Sequence, residues 1–261
     1  LPTAMHYRAL LIGLLASLTL TSIAASQEIM SIDAGRVYWL DPHDGSVVRT
    51  GQAVGNQGTW SGMAKDSQGR VLGSSGYTWL PFAIYEIDPL TGQTQFVCQT
   101  SLLGLTAISF GPGDGLYGLN NPNAGQAGGG KYDLVTIDLI TGSTSVVGST
   151  GFNTFGTLAY SQGSFWAYEG GYDGVGLVRI DSITGAGVDV NPAVRGPNDL
   201  VDSLCFSDDG VLYLLDYGLW IMDTETGVPA FINFIPGAPL IVCAEFVPFL
   251  PAPFSLGTRG A

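Results

Sequence analysis

The chain has 261 residues, of which only 12% are charged, with 38 Gly, 14 Pro and a formal net charge of −13. So little charge and so much glycine argue against a helical bundle, in which Leu, Glu, Lys and Ala dominate. With only 9 Lys and Arg, the surface is expected to repel nucleic acid and anionic lipid, whereas calcium or a neutral ligand would suit its charge.

The N-terminal segment is typical of an export signal. Met5 is the expected start, an apolar run covers 9–24, and the small residues of 24–26 favour cleavage before about Gln27. A transmembrane anchor is the alternative, but about 16 apolar residues fall short of the roughly 20 that span a bilayer. We therefore expect a signal peptide over 1–26, no transmembrane span after its cleavage, and a secreted, periplasmic or cell-surface protein.

Five turns in the rest of the chain share one pattern, in which Asp begins and Gly ends a five-residue segment. They are DPHDG (41–45), DPLTG (88–92), DLITG (138–142), DSITG (181–185) and DTETG (223–227). Each follows a short β-rich run and precedes another. This predicts hairpins in which Asp accepts hydrogen bonds from its own turn and Gly adopts a positive φ. Because these five Asp recur in every unit, we assign them a structural role.

A second pattern alternates with the first, and joins two further strands through a Gly-rich turn. Its copies are GMAKDSQGRVLG (62–73), AISFGPGDGLYG (107–118), TLAYSQGSFWAY (157–168) and SLCFSDDGVLYL (203–214). Each unit of 40 to 50 residues therefore carries four strands, which we name A to D. Four short antiparallel strands at this spacing predict the blades of a β-propeller.

The two ends of the chain complete one blade. The sequence enters at strand B (28–32) and strand C (36–40), and it finishes with a lone strand A (239–249). We predict an all-β, five-bladed propeller over 27–249, closed when the C-terminal strand A joins the N-terminal B, C and D strands and removes the open edge. The remaining 250–261 are expected to be a disordered end or a truncated sorting signal.

The repeats AIYEIDPLTG (83–92), LVTIDLITG (134–142) and GLYG (115–118) carry a family resemblance. The chain resembles bacterial secreted β-propellers with L-Y-x-I-D-x-x-T-G blades, in the YVTN-like and quinoprotein-like superfamily. It departs from the commoner members, with six to eight blades, in having five units. The resemblance implies the architecture, but not one activity, because propellers host many.

The segment AGQAGGGKYD (124–133) matches a phosphate-binding loop as far as Lys131. Such a loop needs Ser or Thr after the Lys and a helix to follow. Tyr132 takes that place here, and LVTID, a predicted strand C, comes next. We therefore expect a loop of the propeller and no nucleotide site.

Ligands of propellers usually lie on the face formed by the B–C and D–A loops, which we call the loop face. Aromatic rings and Asn or Asp side chains in those loops are the groups that bind sugars. This predicts a glycan or a protein as partner, and the alternative is that the rings cap blades while the polar groups solubilise loops. The candidate ligand-binding residues are Trp60, Tyr77, Trp79, Asn120, Phe155, Glu169, Tyr172, Asp173, Asn198, Asp199, Asp202, Asp216 and Tyr217.

Asp199 and Asp202 lie in the most polar of these loops. They could bind calcium together with backbone carbonyls, act as an acid and base pair, or simply form a turn. Apart from such a calcium ion, no cofactor is expected. The cysteines Cys98, Cys205 and Cys243 are too few and too far apart for a disulfide framework. One bridge is open to them, but burial as small apolar residues is the expected role.

Support for catalysis in the sequence is thin. It has 2 His, of which His6 lies in the signal and His43 in a C–D turn, and it contains no G-x-S-x-G, H-E-x-x-H or Cys/His cluster. We therefore expect a non-catalytic binding protein. The alternatives are a glycosidase-like enzyme that uses two carboxylates, and a purely structural repeat protein of the envelope or matrix.

Overall fold

The computed structural model describes residues 27–33, 35–52, 59–77, 80–124, 130–153, 155–169, 174, 176–194, 203–237 and 241–248. The signal peptide and tail predicted for the two ends lie outside these residues. Within them, no helix is long and apolar enough to cross a membrane.

The described residues form twenty strands and one 3-10 turn, Pro112–Asp114. The strands are β1 Gln27–Asp33, β2 Arg36–Leu40, β3 Val47–Gln52, β4 Thr59–Lys65, β5 Val71–Tyr77, β6 Leu80–Ile87, β7 Thr94–Gln99, β8 Leu105–Phe110, β9 Leu116–Asn120, β10 Asp133–Ile137, β11 Thr144–Ser149, β12 Ala159–Ser161, β13 Ser164–Glu169, β14 Gly176–Asp181, β15 Gly187–Asp189, β16 Ser203–Phe206, β17 Leu212–Leu215, β18 Gly218–Met222, β19 Pro229–Phe234 and β20 Cys243–Pro248.

These strands form five antiparallel sheets of four strands, and the five-bladed propeller predicted from the repeats is confirmed. Blade 1 has the order β20-β1-β2-β3, and blades 2 to 5 take β4–β7, β8–β11, β12–β15 and β16–β19 in turn. The C-terminal strand β20 pairs with β1 from Gln27 opposite Pro248 to Ile32 opposite Cys243. The two ends of the described chain thus share one sheet, as the strand count predicted.

Each interface between neighbouring blades encloses its own hydrophobic cluster. The cluster between blades 1 and 2, for example, joins Met30 and Trp39 to Trp60 and Ile87. Comparable clusters fill the other four interfaces. Both faces of a blade are therefore covered, which agrees with strands that are apolar over much of their length.

The innermost strands β4, β8, β12, β16 and β20 contact one another around the axis. The channel between them is lined mostly by small residues, and it narrows to a cavity of about 10 Å³. That is room for about one water molecule. The backbones of blades 2 and 3 are close here, since a Cβ on Gly62 would lie 2.6 Å from the Ile108 nitrogen. This cavity is too small to hold a sugar.

The structural role predicted for the five repeat Asp is confirmed. In every turn the Asp Oδ1 accepts the backbone N–H two residues later, at 2.8 to 3.0 Å. The glycine that ends each turn has a φ between +68° and +74°, where an L side chain is strained.

Each of these turns also docks on the preceding blade. Trp39 of blade 1 donates its indole N–H to the Pro89 carbonyl oxygen of the blade 2 turn at 2.9 Å. Blade 4 reaches the turn of blade 5 through Asn191 and the Thr226 carbonyl oxygen at 2.9 Å. Between blades 2 and 3 the approach is tighter, because a Cβ on Gly142 would lie 2.0 Å from the Gln99 carbonyl oxygen.

Cys98, Cys205 and Cys243 are free and buried. Burial raises the pKa of all three thiols, so they remain protonated and pack as small apolar groups. The burial predicted for them is confirmed, and no disulfide joins them.

A cluster of charged residues lies at the closing strand β20 and the two blades beside it. The Lys65 ammonium of blade 2 lies 2.9 Å from the Asp208 carboxylate of blade 5, and the Lys65 side chain is only 17% exposed. Glu245 of β20 lies beside this ion pair, and its carboxylate accepts the backbone N–H groups of Lys65 and Phe246. The cluster connects three blades at the point where the ring closes.

Gly142→Ala tests the docking of the turns. We expect it to lower the free energy of unfolding by about 2–4 kcal/mol, because strain at positive φ adds to the clash with the Gln99 carbonyl. Gly69→Ala is the matched control, since Gly69 has a φ of +85° but nothing within 4 Å of its Cβ position; it should cost about 1 kcal/mol. Equal losses in urea denaturation would show that the clash contributes nothing.

Glu245 should make stability fall as pH rises from about 4.5 to 7. Burial raises its pKa from 4.5 to about 7, although Lys65 opposes the shift. The folded state therefore holds a proton that the unfolded state has released, and stability is lost as this proton leaves. The pH dependence of stability that comes from Asp138, Asp181 and Asp223 lies in more acidic solution, because backbone N–H groups lower the pKa of these carboxyl groups.

Glu245→Gln should remove on the order of 2 kcal/mol of this pH dependence. The measurement is the free energy of unfolding at pH 4.5, 6 and 7.5 for both proteins. Parallel curves for the two would contradict this assignment.

Candidate ligand-binding face

A polar residue lies at or next to the loop-face end of strand B in every blade. In each blade, one residue of strand B pairs with the residue that immediately precedes the repeat Asp. This strand B residue is apolar in every blade, for example Ile29 opposite Leu40 and Leu116 opposite Ile137. Four positions later, where the strand reaches the loop face, the residue is polar in all five blades. We call these residues the upper polar ring: Asp33, Ser75, Asn120, Glu169 and Asp216.

The members of this ring are held in place by the loops around them. Glu169 accepts the backbone N–H of Asn153 at 3.0 Å. Asp216 accepts the backbone N–H of Gly218 at 2.6 Å and the indole N–H of Trp220 at 3.1 Å. Asn120 differs, because its Oδ1 is buried and has no hydrogen-bond partner among the described residues. That oxygen is an acceptor that a ligand hydroxyl or a water can satisfy.

The charge of the ring is negative. Asp33, Glu169 and Asp216 supply carboxylates, and the ring contains no Lys or Arg. Burial, together with the charge of Asp216, raises the pKa of Tyr168 to about 12. Anionic ligands are disfavoured on such a face, whereas neutral hydrogen-bond donors are not.

Blade 5 adds a group of exposed rings beside this polar ring. Tyr217 is 57%, Phe231 43% and Phe234 69% exposed. Phe231 packs edge-on against Trp220 at 4.7 Å and against Phe234 at 4.9 Å between ring centroids. We call Tyr217, Trp220, Phe231 and Phe234 the blade 5 corner. Asp216, which immediately precedes Tyr217, holds the Trp220 indole in position.

The corner departs from the repeat at one position. Phe234 pairs with Gly218 in the ladder, and the equivalent positions of blades 1, 2 and 3 hold Gln52, Gln99 and Ser149. Blade 2 also has two rings at the places of Trp220 and Phe231, since Tyr85 and Phe96 lie 5.9 Å apart between ring centroids. An aromatic residue at the end of strand D distinguishes blade 5 from these three blades.

Eleven of the thirteen sequence-predicted residues fall into three groups. Asn120, Glu169 and Asp216 belong to the upper polar ring and Tyr217 to the blade 5 corner, so these four lie on the loop face. Of Tyr77 only the backbone is described, at the end of β5. Six residues lie outside the described part of the chain: Trp79, Tyr172, Asp173, Asn198, Asp199 and Asp202. Ligand binding by these residues stays a prediction, as does calcium at Asp199 and Asp202.

Trp60 and Phe155 lie in the core instead of on the surface. Each is 2% exposed. Trp60 packs edge-on against Tyr85 at 5.9 Å, and Phe155 packs against Tyr132 at 5.8 Å. Both rings face the neighbouring blade, and their packing leaves no face to stack on a ligand.

Sequence reasoning missed Trp220, Phe231 and Phe234. The signal was present in the outer strand PAFINF (229–234), which is uncharged and has an aromatic residue where the outer strands of blades 1 to 3 end in Gln or Ser. A comparison of strand D between the repeats would have revealed it.

The described residues include no group of three His, Cys, Asp or Glu placed to hold a metal ion. After Lys131 the chain enters strand β10, where a phosphate-binding loop would require a helix. The Lys131 ammonium bonds instead to the Gly151 carbonyl oxygen.

No protein-family model matches the sequence, and no curated protein matches it. The fold is similar to solved structures. A gluconolactonase from Xanthomonas campestris superposes with a TM-score of 0.53 at 14% identity, over 78% of this chain and 73% of the other. TolB from Acinetobacter baumannii gives 0.52 at 17% identity, over 80% of this chain and 53% of that one.

A chain of a nidogen/laminin complex gives a TM-score of 0.51 at 10% identity, over 85% of this chain and 98% of that chain. These similarities support the propeller fold. The neighbours differ in function, so the site has to be argued from its own residues.

Proposed function

We propose that the protein is an exported, non-catalytic propeller that binds a neutral glycan on its loop face. The upper polar ring is the observation that carries this proposal. In all five blades strand B carries a polar residue at one register near its loop-face end, and among these residues the buried Asn120 Oδ1 has no partner in the described chain. Repetition of polarity at one level of the fold indicates a shared site around the channel mouth.

The ring supplies what sugar hydroxyls need. Carboxylate and amide oxygens accept hydrogen bonds from hydroxyl groups. The exposed Tyr217 beside Asp216 provides a ring face for the apolar side of a pyranose. The surplus of carboxylates and the overall charge of −13 favour an uncharged sugar over an acidic one.

Binding is favoured over catalysis by the way the carboxylates are used. Glu169 and Asp216 both accept hydrogen bonds from their own chain, which orients loops and keeps these groups from moving freely as acid or base. The cavity between the inner strands has only about 10 Å³, so the proposed ligand would have to bind outside it. A carboxylate-dependent glycosidase is the alternative, and would require two carboxyl groups roughly 5–9.5 Å apart across the bound sugar.

A protein partner is the second candidate. The outer strand β19 is uncharged and exposes Phe231 and Phe234, and aromatic residues are enriched in protein interfaces. The similarity to a chain of a nidogen/laminin complex agrees with a propeller surface that serves another protein.

Titration with neutral glycans tests the proposal. We expect one class among glucan, mannan, xylan and chitin oligosaccharides to bind the purified protein and to raise its Tm. Tyr217→Ala should weaken this binding roughly three- to tenfold, because it removes one stacking ring. Phe96→Ala is the control, since Phe96 is also exposed, at 56%, but lies on blade 2.

The readouts are the Kd from calorimetry and the Tm without ligand. Failure of every neutral glycan to bind would contradict the proposal and favour a protein partner. Turnover of a bound oligosaccharide, lost in Glu169→Gln or Asp216→Asn, would favour the glycosidase instead.

A further inference from the structure

We infer that the three outer rings of the blade 5 corner, Trp220, Phe231 and Phe234, form a second subsite, which stacks on sugar units beyond the one held at Tyr217 and the upper polar ring. The preferred ligand is then an extended, uncharged oligosaccharide that runs from the channel mouth outward over blade 5. This inference rests on the proposed function and specifies the size and direction of its ligand.

The two sites are continuous in the structure. Asp216 belongs to the ring, and its carboxylate binds the indole of Trp220 in the corner at 3.1 Å. Tyr217 follows Asp216, and the backbone N–H of Ile235 donates to the Tyr217 carbonyl oxygen at 3.1 Å. Ring and corner are thus neighbouring parts of one hydrogen-bonded segment, which fixes the corner directly beside the ring.

The rings of the corner are held in place before any ligand arrives. Gly218 leaves the space in which the edge of Phe231 lies, since a Cβ there would be 2.8 Å from the Phe231 ring. Trp220 then supports Phe231, and Phe231 supports Phe234, each through an edge-on contact. Rings fixed in this way lose little conformational entropy when they stack on a ligand.

Packing of the fold does not account for Phe234. Its side chain is 69% exposed, so it contributes little buried area, and blade 2 keeps the pair Tyr85 and Phe96 with Gln99 at the equivalent place. An exposed aromatic group that the repeat does not require indicates a surface kept for binding.

The corner is longer than one sugar. Three of its rings contact one another in turn, since Phe231 lies 4.7 Å from Trp220 and 4.9 Å from Phe234 between ring centroids. Tyr217 and the polar ring extend the surface further inward. Several linked pyranose units are needed to cover it, so affinity should increase with chain length.

The experiment compares dimers with hexamers. The probes are cello-, manno-, xylo- and chito-oligosaccharides of two and six units, with an oligogalacturonate hexamer as the acidic counterpart. We expect the wild-type protein to bind one neutral hexamer at least tenfold more tightly than its dimer. Phe231→Ala and Phe234→Ala should each weaken the hexamer roughly three- to tenfold and leave the dimer unchanged.

Phe96→Ala is the matched control, because Phe96 has the place in blade 2 that Phe231 has in blade 5. It should alter neither affinity. Phe234→Tyr should restore the affinity lost in Phe234→Ala, because it returns a stacking ring. An unchanged Tm for the Phe234 variants would show that the fold is intact.

Four results would overturn the inference, and they are distinguishable. Equal affinity for dimer and hexamer, unaffected by Phe231→Ala and Phe234→Ala, leaves the proposed function and removes the second subsite. Equal loss for both lengths makes the corner the primary site. Failure of all neutral probes to bind the wild-type protein removes the proposed function itself. Tighter binding of the acidic hexamer would contradict the uncharged character of the ligand.

Discussion

The docking of each D-x-x-T-G turn on the preceding blade is the contact on which the ring depends. A blade with two apolar faces must be covered by a neighbour on each side. The turn of each blade contacts the preceding blade and so sets the position in which the two blades pack. The turn succeeds because its Asp satisfies its own backbone N–H groups and its Gly permits an approach that a Cβ would block, as at Gly142. The same contact between Asn233 of blade 5 and the Asp44 carbonyl oxygen of blade 1, at 3.1 Å, completes the circle.

Closure by this contact has a consequence for the loop face. Five equal blades bring the five B strands to one level, so a residue type placed at the same register in each becomes a ring around the axis. Asp33, Asn120 and their counterparts form such a ring, whereas the cavity between the inner strands is small and lined mostly by small residues. Rigidity lies in the inner and turn regions, and chemical variety is left to strand ends and loops, as in other scaffolds that carry binding sites.

The blades, their strand order and the closure by β20 could be predicted because turn chemistry and two-residue alternation are local properties. The burial of Trp60 and Phe155 could not, because both stand at loop boundaries and only the position of the next blade decides which way the ring points. The cluster of Lys65, Asp208 and Glu245 joins residues that are far apart in sequence and belong to three blades. Local sequence patterns do not predict such long-range contacts, and the same applies to the close approach of Gly62 to Ile108.

Departures from the repeat are therefore the more informative part of the sequence. A residue that recurs in all blades, such as the turn Asp, is explained by the architecture and needs no ligand. Phe234 recurs in none of blades 1 to 3 and is mostly exposed, so folding gains little from it while solubility is reduced. The protein has a net charge of −13, but the blade 5 corner itself is uncharged and aromatic. Charge therefore does not keep a neutral ligand away from the corner. The repeat architecture does not explain the exposed ring of Phe234, and this is the observation from which the proposal of binding at blade 5 starts.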